Sequence, residues 1–226
     1  MSKKILVACE ESQAITKEFR ALGFEAFSCD ILPCSGGHPE WHIQGDVFNV
    51  IDQGWDLMIA HPPCTYLSQS GTQWYYHPDD KHLPIDERRP HPKYPNREAE
   101  RQSAIEFVRK LAEANIPRIA IENPIGSLSS RWRKPDQIIQ PWMFGDKASK
   151  STCLWLKNLP LLTATDLVDR GEFFEWTDKN GKVKRQPMWY YKALSEAKTP
   201  AQRRTLRSKT FTGMAKAIAN QWGKLL

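Results

Sequence analysis

Short apolar runs and longer amphipathic stretches alternate along the first half of the chain. Residues 3–8 form an apolar run that predicts a buried strand, and residues 25–29 predict a second strand that ends at Asp30. Between them, apolar residues recur at helical spacing after Ser12, which we interpret as the helix cap, and Gly23 stands where such a helix ends. The pattern therefore predicts a strand–helix–strand unit.

The same alternation continues further along the chain. Apolar runs predict strands at residues 55–60 and 118–121, and a helix at about residues 97–114 lies between them. Residues 211–222 again show helical spacing of apolar side chains. Strands that alternate with helices indicate an α/β fold with a mixed, mostly parallel sheet flanked by helices.

Four residues with reactive or hydrogen-bonding side chains follow predicted strands. They are Glu10, Asp30, Cys64 and Glu122. In open α/β sheets, ligands bind beyond the carboxyl ends of the strands. We therefore expect these four side chains to lie along one ligand-binding edge of the sheet.

Two stretches interrupt the alternation. Residues 69–96 are rich in proline, histidine and charge, which predicts a mobile loop. Residues 163–200 bring aromatic and basic residues around Asn180-Gly181, a strong signal for a hairpin turn. We divide the chain into a catalytic domain (1–162), a small inserted hairpin region (163–200) and a C-terminal helix that returns to the catalytic domain (201–226).

Composition and charge narrow the class of protein. Hydrophobic residues make up 40% and charged residues 26% of the 226 residues, and no run approaches the length of a membrane span. Because the N-terminus lacks the features of a signal peptide, we expect a cytoplasmic protein. The net charge of +6 favours a polyanionic partner such as nucleic acid.

The cysteine pattern favours free thiols over a disulfide framework or a metal site. The five cysteines are odd in number and widely spread: Cys9, Cys29, Cys34, Cys64 and Cys153. The spacing of Cys29, Cys34, His38 and His42 superficially suits zinc. Because Cys29 lies inside a predicted strand and only two of the four ligands are thiols, we predict no metal and keep zinc as a minor alternative.

The turn Pro62-Pro63-Cys64 carries the most chemical information. Carbon 5 of cytosine is too weak a nucleophile to take a methyl group unaided, and a thiolate that adds to carbon 6 activates it. Alone, such a cysteine is more often an ordinary buried one. The strand-ending Glu122-Asn123-Pro124 changes this balance, because an acid there can share a proton with N3 of a cytosine and make carbon 6 more electrophilic.

On these motifs the chain resembles the DNA cytosine-5 methyltransferase family. The matching stretches are Pro62-Pro63-Cys64 with Ser68 four residues on, Glu122-Asn123, Gly45-Asp46-Val47 and residues 213–220. The chain is most similar to short phage-encoded members that carry the segments at 61–67, 121–124 and 207–223 and lack a full target-recognition domain. The resemblance implies a Rossmann-like, S-adenosylmethionine-dependent methyltransferase fold and an origin in a phage or prophage.

The resemblance also implies roles for individual residues. Cys64 becomes the nucleophile and Glu122 the residue that activates the cytosine. Asp30 is expected to bind the ribose hydroxyls of S-adenosylmethionine, and Asp46 its adenine amino group. The full set implied to bind the cofactor is Ala8, Cys9, Glu10, Ser12, Asp30, Ile31, Asp46, Val47, His61 and Pro62.

A cytosine inside a duplex cannot reach a buried cysteine, so the enzyme is expected to flip the base into its pocket. The candidate contacts to double-stranded DNA are Ser68, Gln69, Ser70, Gln73, Arg88, Arg89, Lys150, Thr152, Lys182, Lys184 and Arg185. Only residues 163–200 are available to read sequence. We therefore predict a monomer with short or loose sequence specificity.

Three departures from the family pattern leave alternatives open. The first loop, residues 8–13, has no glycine, Thr65 stands where glutamine usually follows the nucleophile, and residues 150–152 occupy the place of an unrecognisable Gln-x-Arg-x-Arg motif. The same cysteine chemistry also suits RNA or a free cytidine nucleotide. A modified donor that delivers a carboxymethyl group and an inactive nucleic-acid-binding protein are further alternatives.

Overall fold

The computed structural model describes residues 2–226, apart from the side chains of residues 200, 201 and 204. Within this part of the chain, seven strands form one sheet: β1 Lys4–Ala8, β2 Glu25–Asp30, β3 His42–Gln44, β4 Leu57–Ala60, β5 Arg118–Pro124, β6 Gln137–Ile139 and β7 Thr152–Lys157. Their order is β3-β2-β1-β4-β5-β7-β6. The neighbours from β3 to β5 pair in parallel, and β7 is antiparallel to both β5 and β6.

This mostly parallel sheet, with helices on both faces, confirms the predicted Rossmann-like α/β fold. The chain order of the strands reverses between β1 and β4. The carboxyl ends of two such strands frame the crevice in which α/β proteins bind ligands. Ala8 ends β1 and Ala60 ends β4, so the residues that follow them border this crevice.

Helices cover both faces of the sheet. They are α1 Ala14–Ala21, α2 Arg97–Glu113, α3 Leu128–Arg131, α4 Met188–Ser195, α5 Pro200–Ser208 and α6 Thr212–Gly223. Side chains of β1 point alternately to the two faces. Ile5 and Val7 join the core that contains α1 and α6, whereas Leu6 and Ala8 join the core that contains α2. The sheet is therefore buried on both sides.

The start of α1 differs from the prediction. Ser12 is not the cap: Gln13 precedes the helix in a left-handed conformation, with a φ of 56°. The side chain of Glu10 accepts hydrogen bonds from the amides of Ile15 and Thr16, at 2.7 and 3.3 Å. A carboxylate near exposed helix amides interacts favourably with the helix dipole, and Glu10 takes the place that we assigned to Ser12.

Two predicted strand boundaries are also wrong. β4 begins at Leu57, two residues later than expected, because the buried Trp55 turns its indole to the carbonyl of Val50 (2.7 Å). β5 continues to Pro124 because β7 pairs with it in antiparallel register through residues 119–124. Glu122 therefore lies inside the strand, opposite Leu154, rather than beyond its end.

A separate two-stranded hairpin follows the sheet. β8 Phe173–Thr177 and β9 Val183–Pro187 pair in antiparallel register, which confirms the predicted hairpin. Residues 178–182 form its turn, with Gly181 at a φ of 76°. Beyond it, α6 confirms the helix predicted at residues 211–222, and a further helix, α5, precedes it in the C-terminal segment.

Residues 69–96 fold into three short 3-10 helices with hydrogen bonds between distant positions. The amide of His77 donates to the carbonyl of Arg89 at 2.9 Å, and the Arg89 guanidinium donates to Asp80 at 2.6 and 2.9 Å. The mobility of this loop stays a prediction. No helix in residues 2–226 has the length and apolar character needed to cross a membrane.

Candidate active site

Cys64 lies in a tight turn directly after β4. The amides of Leu67 and Ser68 donate to its carbonyl at 3.0 and 2.9 Å, which closes the turn behind the thiol. Pro62 and Pro63 precede it, and their fixed φ angles limit the conformations of this segment. The thiol is consequently held at the edge of the sheet, beside the reversal in strand order.

Hydrogen bonds and close packing tie this turn to β5. The side-chain amide of Asn123 donates to the carbonyl of Pro62 at 2.7 Å. The amide of Ser127 donates to the carbonyl of Leu67 at 2.7 Å. A Cβ on Gly126 would lie 1.9 Å from the same Leu67 oxygen, so only glycine permits this approach. The turn that carries Cys64 and the end of β5 are thus fixed against each other.

His61 and Glu122 form a hydrogen-bonded pair beside this turn. Nδ1 of His61 lies 3.1 Å from Oε2 of Glu122, and the two side chains are only 13% and 19% exposed. The hydrogen bond and the positive imidazolium hold the pKa of Glu122 below its ordinary value despite burial. The pKa of His61 is raised by the same contact, which outweighs the effect of burial.

Charges around Cys64 act in opposite directions. Burial, followed by the negative charge of Glu122, raises the pKa of the Cys64 thiol, whereas Lys150 and Arg207 lower it. The effect of Glu122 on the Cys64 thiol indicates that the two side chains lie near each other, and their catalytic roles stay predictions. The resting thiol is protonated at neutral pH, and the positive charges of Lys150 and Arg207 favour its thiolate form.

Arg207 is a site residue that the sequence analysis did not identify. It belongs to α5, and its guanidinium also stacks on Tyr190 with 4.9 Å between its central carbon and the ring centroid. The only sequence signal was its position at the start of the phage-like segment 207–223. Nothing local in that segment indicates that α5 folds back toward Cys64.

A narrow cavity of about 10 Å³ lies beside the pair and is covered by the C-terminal segment. This is roughly the space that one water molecule requires. Its lining residues are His61, Glu122, Ile139, Lys150, Thr152, Leu154, Thr210, Phe211, Met214 and Ile218.

Acidic residues collect at the other side of the crevice. Cys9 follows β1 with a left-handed φ of 58°, in the loop where the family pattern has glycines. Burial, Asp30 and Asp46 together raise the pKa of the Cys9 thiol far above its ordinary value, so both carboxylates face this loop. Beside Asp30, the side chain of Ile31 is 74% exposed and leaves an apolar surface at the same edge.

This donor set fits S-adenosylmethionine. Its ribose hydroxyls and adenine amino group are hydrogen-bond donors, and two carboxylates are suitable acceptors for them. The exposed Ile31 offers an apolar contact for the purine ring. Asp30 also accepts a hydrogen bond from the amide of Leu32 at 2.8 Å, which fixes the direction of its side chain. The cofactor roles of Asp30, Asp46 and Ile31 stay predictions that this arrangement supports.

Other predicted cofactor residues have structural tasks. Glu10 caps α1, His61 pairs with Glu122, and Val47 is buried in the core. The carbonyl of Pro62 accepts the hydrogen bond from Asn123. Ala8 is fully buried at the end of β1. Ser12 lies in the first loop, where a cofactor contact stays a prediction.

The predicted DNA contacts fall into two groups. Arg88 and Arg89 are bound inside the 69–96 loop, Arg88 to the carbonyl of Leu83 at 2.8 Å and Arg89 to Asp80. Thr152 is buried. The other predicted contacts are at least partly exposed: Ser68, Gln69, Ser70, Gln73, Lys150, Lys182, Lys184 and Arg185. Arg88 and Arg89 would have to exchange these partners to reach a phosphate.

The residues of the zinc alternative each have other partners. The Cys29 thiol is buried and lies 3.7 Å from the carbonyl of Gly45, and its pKa is raised to about 11, mainly by burial. The ring of His42 lies 2.9 Å from the hydroxyl of Ser28. Among residues 2–226, no group of three or more potential ligands is placed to hold a metal ion.

Comparison with known proteins leaves the function to be argued from this site. No protein-family model and no curated protein matches the sequence. A crystal structure of a DNMT2 triple mutant from Spodoptera frugiperda is similar over 75% of this chain and 55% of that chain, with 15% sequence identity and a TM-score of 0.42. This chain therefore spans little more than half the length of that structure.

Proposed function

We propose that the protein is an S-adenosylmethionine-dependent methyltransferase that modifies carbon 5 of cytosine in DNA through a covalent bond between Cys64 and carbon 6. One observation carries this proposal. Cys64 follows β4, Glu122 lies on the adjacent β5, and the charge of Glu122 acts on the Cys64 thiol beside the reversal in strand order. A nucleophile and an acid arranged in this way suit addition to a pyrimidine ring.

The residues of the chain divide the chemistry between them. Cys64 loses its proton, and Lys150 and Arg207 stabilise the resulting thiolate. The sulfur then adds to carbon 6 of the cytosine. Glu122 shares a proton with N3, which accepts the displaced electron pair of the ring. Carbon 5 thereby gains the electron density that it needs to take a methyl group.

S-adenosylmethionine, when bound, supplies an electrophilic methyl group to carbon 5. Asp30 and Asp46 would hold its adenosine part by accepting from the ribose hydroxyls and the adenine amino group. Asp30 ends β2 and Asp46 follows β3, whereas Cys64 follows β4, so the cofactor and the base would lie on opposite sides of the crevice.

Charge and the hairpin favour DNA as the substrate. The chain has a net charge of +6, and Lys182, Lys184 and Arg185 are exposed on the hairpin. The indole of Trp189, at the base of the hairpin, donates to the carbonyl of Ser149 at 2.9 Å, directly beside Lys150. This contact ties the base of the hairpin to the segment of Lys150 and supports a role of the hairpin in binding DNA. The small size of the hairpin supports short sequence specificity, and a monomer remains part of the proposal.

Mass spectrometry of nucleosides tests the substrate and the transferred group together. Duplex DNA, RNA and cytidine nucleotides are each incubated with the protein and S-adenosylmethionine. We expect 5-methyl-2′-deoxycytidine in the DNA sample and no 5-methylcytidine in the other two. Product in RNA or nucleotide would instead assign the alternative substrate, and a carboxymethyl product with a modified donor would assign the alternative donor. A protein that only binds nucleic acid would yield no product.

Trapping on DNA that contains 5-fluorocytosine tests the nucleophile. The fluorine cannot leave as a proton does, so an active enzyme accumulates as a covalent adduct. We expect Cys64→Ser to abolish the adduct and the matched control Cys34→Ser to retain it, since Cys34 lies 3.2 Å from Gln13 and outside the site. Trapping by Cys64→Ser would show that another residue is the nucleophile.

A further inference from the structure

His61 contacts Glu122 with one ring nitrogen and leaves the other unused. Its Nδ1 lies 3.1 Å from Oε2 of Glu122, and its Nε2 is buried without a hydrogen-bond partner among residues 2–226. Buried polar atoms normally have partners, and exceptions require an explanation. A residue that served only to pack behind Cys64 would not need a polar ring there.

Charged groups from three elements face His61. Glu122 on β5 and Glu10 after β1 favour the imidazolium, and Lys150 before β7 opposes it. The acids prevail over burial and Lys150, because the pKa of His61 is raised and that of Glu122 is lowered. Both pKa directions favour the state with the shared proton on Nδ1 and with Glu122 as a carboxylate, in agreement with the 3.1 Å contact between Nδ1 and Oε2.

This charge state leaves a difficulty in the proposed reaction. N3 of the cytosine needs a proton when Cys64 adds to carbon 6, but an ionised Glu122 has none to give. The nearest proton is the one on Nδ1 of His61, in direct hydrogen-bond contact with the carboxylate. The pair as a unit holds the proton that Glu122 alone lacks.

We propose that His61 is a positioning residue that orients Glu122 and stores on Nδ1 the proton that Glu122 lends to N3 of the cytosine. The proposal rests on the proposed function. It assigns to His61 a task in proton transfer instead of the cofactor contact implied by the family resemblance.

The proposed transfer conserves protons and electrons. The N–H bond at Nδ1 breaks and an O–H bond forms on Glu122, so imidazolium and carboxylate become imidazole and carboxylic acid. The thiol proton of Cys64 passes to water, a sulfur electron pair forms the bond to carbon 6, the ring electrons move to N3, and N3 takes the proton from Glu122. Once carbon 5 has taken the methyl group, N3 returns the proton to Glu122 and through it to Nδ1. Carbon 5 then loses its own proton to water, the electron pair of that C–H bond forms the double bond between carbons 5 and 6, and the bond from carbon 6 to sulfur breaks as Cys64 leaves as a thiolate.

The test measures the rate of adduct formation on 5-fluorocytosine DNA as a function of pH. In the wild-type protein, the alkaline decline of the rate should follow loss of the proton from the pair. His61→Asn can still place an amide donor near Oε2 but cannot titrate. We expect the alkaline decline of this variant to begin at a lower pH than that of the wild type. At pH 8 its rate should be about tenfold slower for each pH unit by which the decline is displaced. His38→Asn, outside the site, is the matched control.

Two outcomes would overturn the proposal. An alkaline decline at the same pH in the wild type and in His61→Asn would show that His61 has only a structural role. In case the variant fails to fold, the carbon-13 signals of the histidine rings in the wild-type protein provide a second measurement. A titration midpoint of His61 that differs from the midpoint of the kinetic decline would also reject the proposal. Failure of the proposed function itself would appear differently, as absence of any adduct with the wild type.

Discussion

The side-chain amide of Asn123 donates a hydrogen bond of 2.7 Å to the carbonyl of Pro62, across the boundary between β5 and the turn that carries Cys64. Asn123 is 1% exposed, so water does not compete for this bond. The neighbouring Glu122 faces the active site from the same strand. The contact therefore fixes the position of Cys64 relative to Glu122.

Replacing Asn123 by alanine should slow the reaction more than it weakens cofactor binding. The buried carbonyl of Pro62 loses its partner, which costs about 1–3 kcal/mol, and the turn of Cys64 gains freedom. We expect the rate of adduct formation to fall about 10-fold to 100-fold, since small errors in the position of a reacting atom are expensive. Calorimetry with S-adenosylmethionine should give an unchanged Kd.

The matched control is Asn220→Ala, which removes an exposed amide from α6 that bonds only within its own helix. This variant should react at the wild-type rate. If Asn123→Ala also reacts at that rate, the hydrogen bond to Pro62 does not position the nucleophile.

The stability contributed by the His61–Glu122 pair should depend on pH in both directions. The raised pKa of His61 adds stability that is fully present below its ordinary value of 6.5 and is lost as pH rises through the folded value. The lowered pKa of Glu122 adds stability that is present above its ordinary value of 4.5 and is lost as pH falls through the folded value. The pair therefore stabilises most between these limits.

Urea unfolding of the wild type and of His61→Leu measures this contribution. The variant leaves a buried carboxylate without its partner, so we expect it to be less stable by about 3 kcal/mol near pH 6. The difference should shrink toward acid and alkaline pH. A difference that stays constant with pH would show that lost packing, and not the ion pair, explains the effect.

The class of the fold, a mostly parallel sheet flanked by helices, could be predicted from sequence further than the details of the site. Alternating strands and helices indicate a parallel sheet whose strand ends meet at one edge, and this brings Cys64 and Glu122 together. The extension of β5 past Ile121 could not be predicted, because it depends on pairing with β7, a partner about thirty residues later in the chain. Apolar periodicity within one segment contains no information about that partner.

Some contacts of side chains near the site have physical causes that a linear pattern does not show. The carboxylate of Glu10 is within reach of the helix amides of Ile15 and Thr16 and binds them, whereas its cofactor contact stays a prediction. Arg207 was missed because its effect on Cys64 joins positions more than a hundred residues apart in the chain. Contacts between residues that are far apart in the sequence depend on how the elements pack, and the conformational preferences of each segment do not reveal them.

The cations beside Cys64 should set the acid side of the pH–rate profile. Lys150 and Arg207 lower the pKa of the thiol, which burial and Glu122 raise. Replacing either cation by methionine removes this effect, so the thiolate forms at higher pH and the rising limb of adduct formation moves in the alkaline direction. We expect about tenfold slower trapping at neutral pH for each unit of displacement.

Measurement at saturating DNA separates this effect from weaker binding. Lys216→Met, at an exposed position of α6, should leave the profile unchanged. An unmoved acid limb in both Lys150→Met and Arg207→Met would show that neither cation stabilises the Cys64 thiolate.

The two acids near Cys9 should dominate cofactor affinity. Asp30→Asn and Asp46→Asn keep the size of the side chain but remove the charge that strengthens hydrogen bonds from the ribose and the adenine amino group. We expect each to weaken binding of S-adenosylmethionine about 10-fold, equivalent to about 1.4 kcal/mol. Calorimetry provides the measurement. Asp52→Asn, at an exposed position after β3, should bind normally, and unchanged affinity in both test variants would place the cofactor elsewhere.

The hairpin should contribute to DNA affinity mainly through phosphate contacts. Lys182, Lys184 and Arg185 are exposed on or beside β9, and each phosphate that they neutralise releases counterions. The triple alanine variant should bind duplex DNA more weakly at low salt, with the slope of log K against log salt concentration smaller in magnitude by about 2 to 3. A second triple variant, Lys110→Ala, Lys216→Ala and Lys224→Ala, removes the same charge from exposed positions away from the hairpin and should keep the wild-type slope. Equal slopes in the two triple variants would mean that net charge alone, and not the hairpin, accounts for DNA binding.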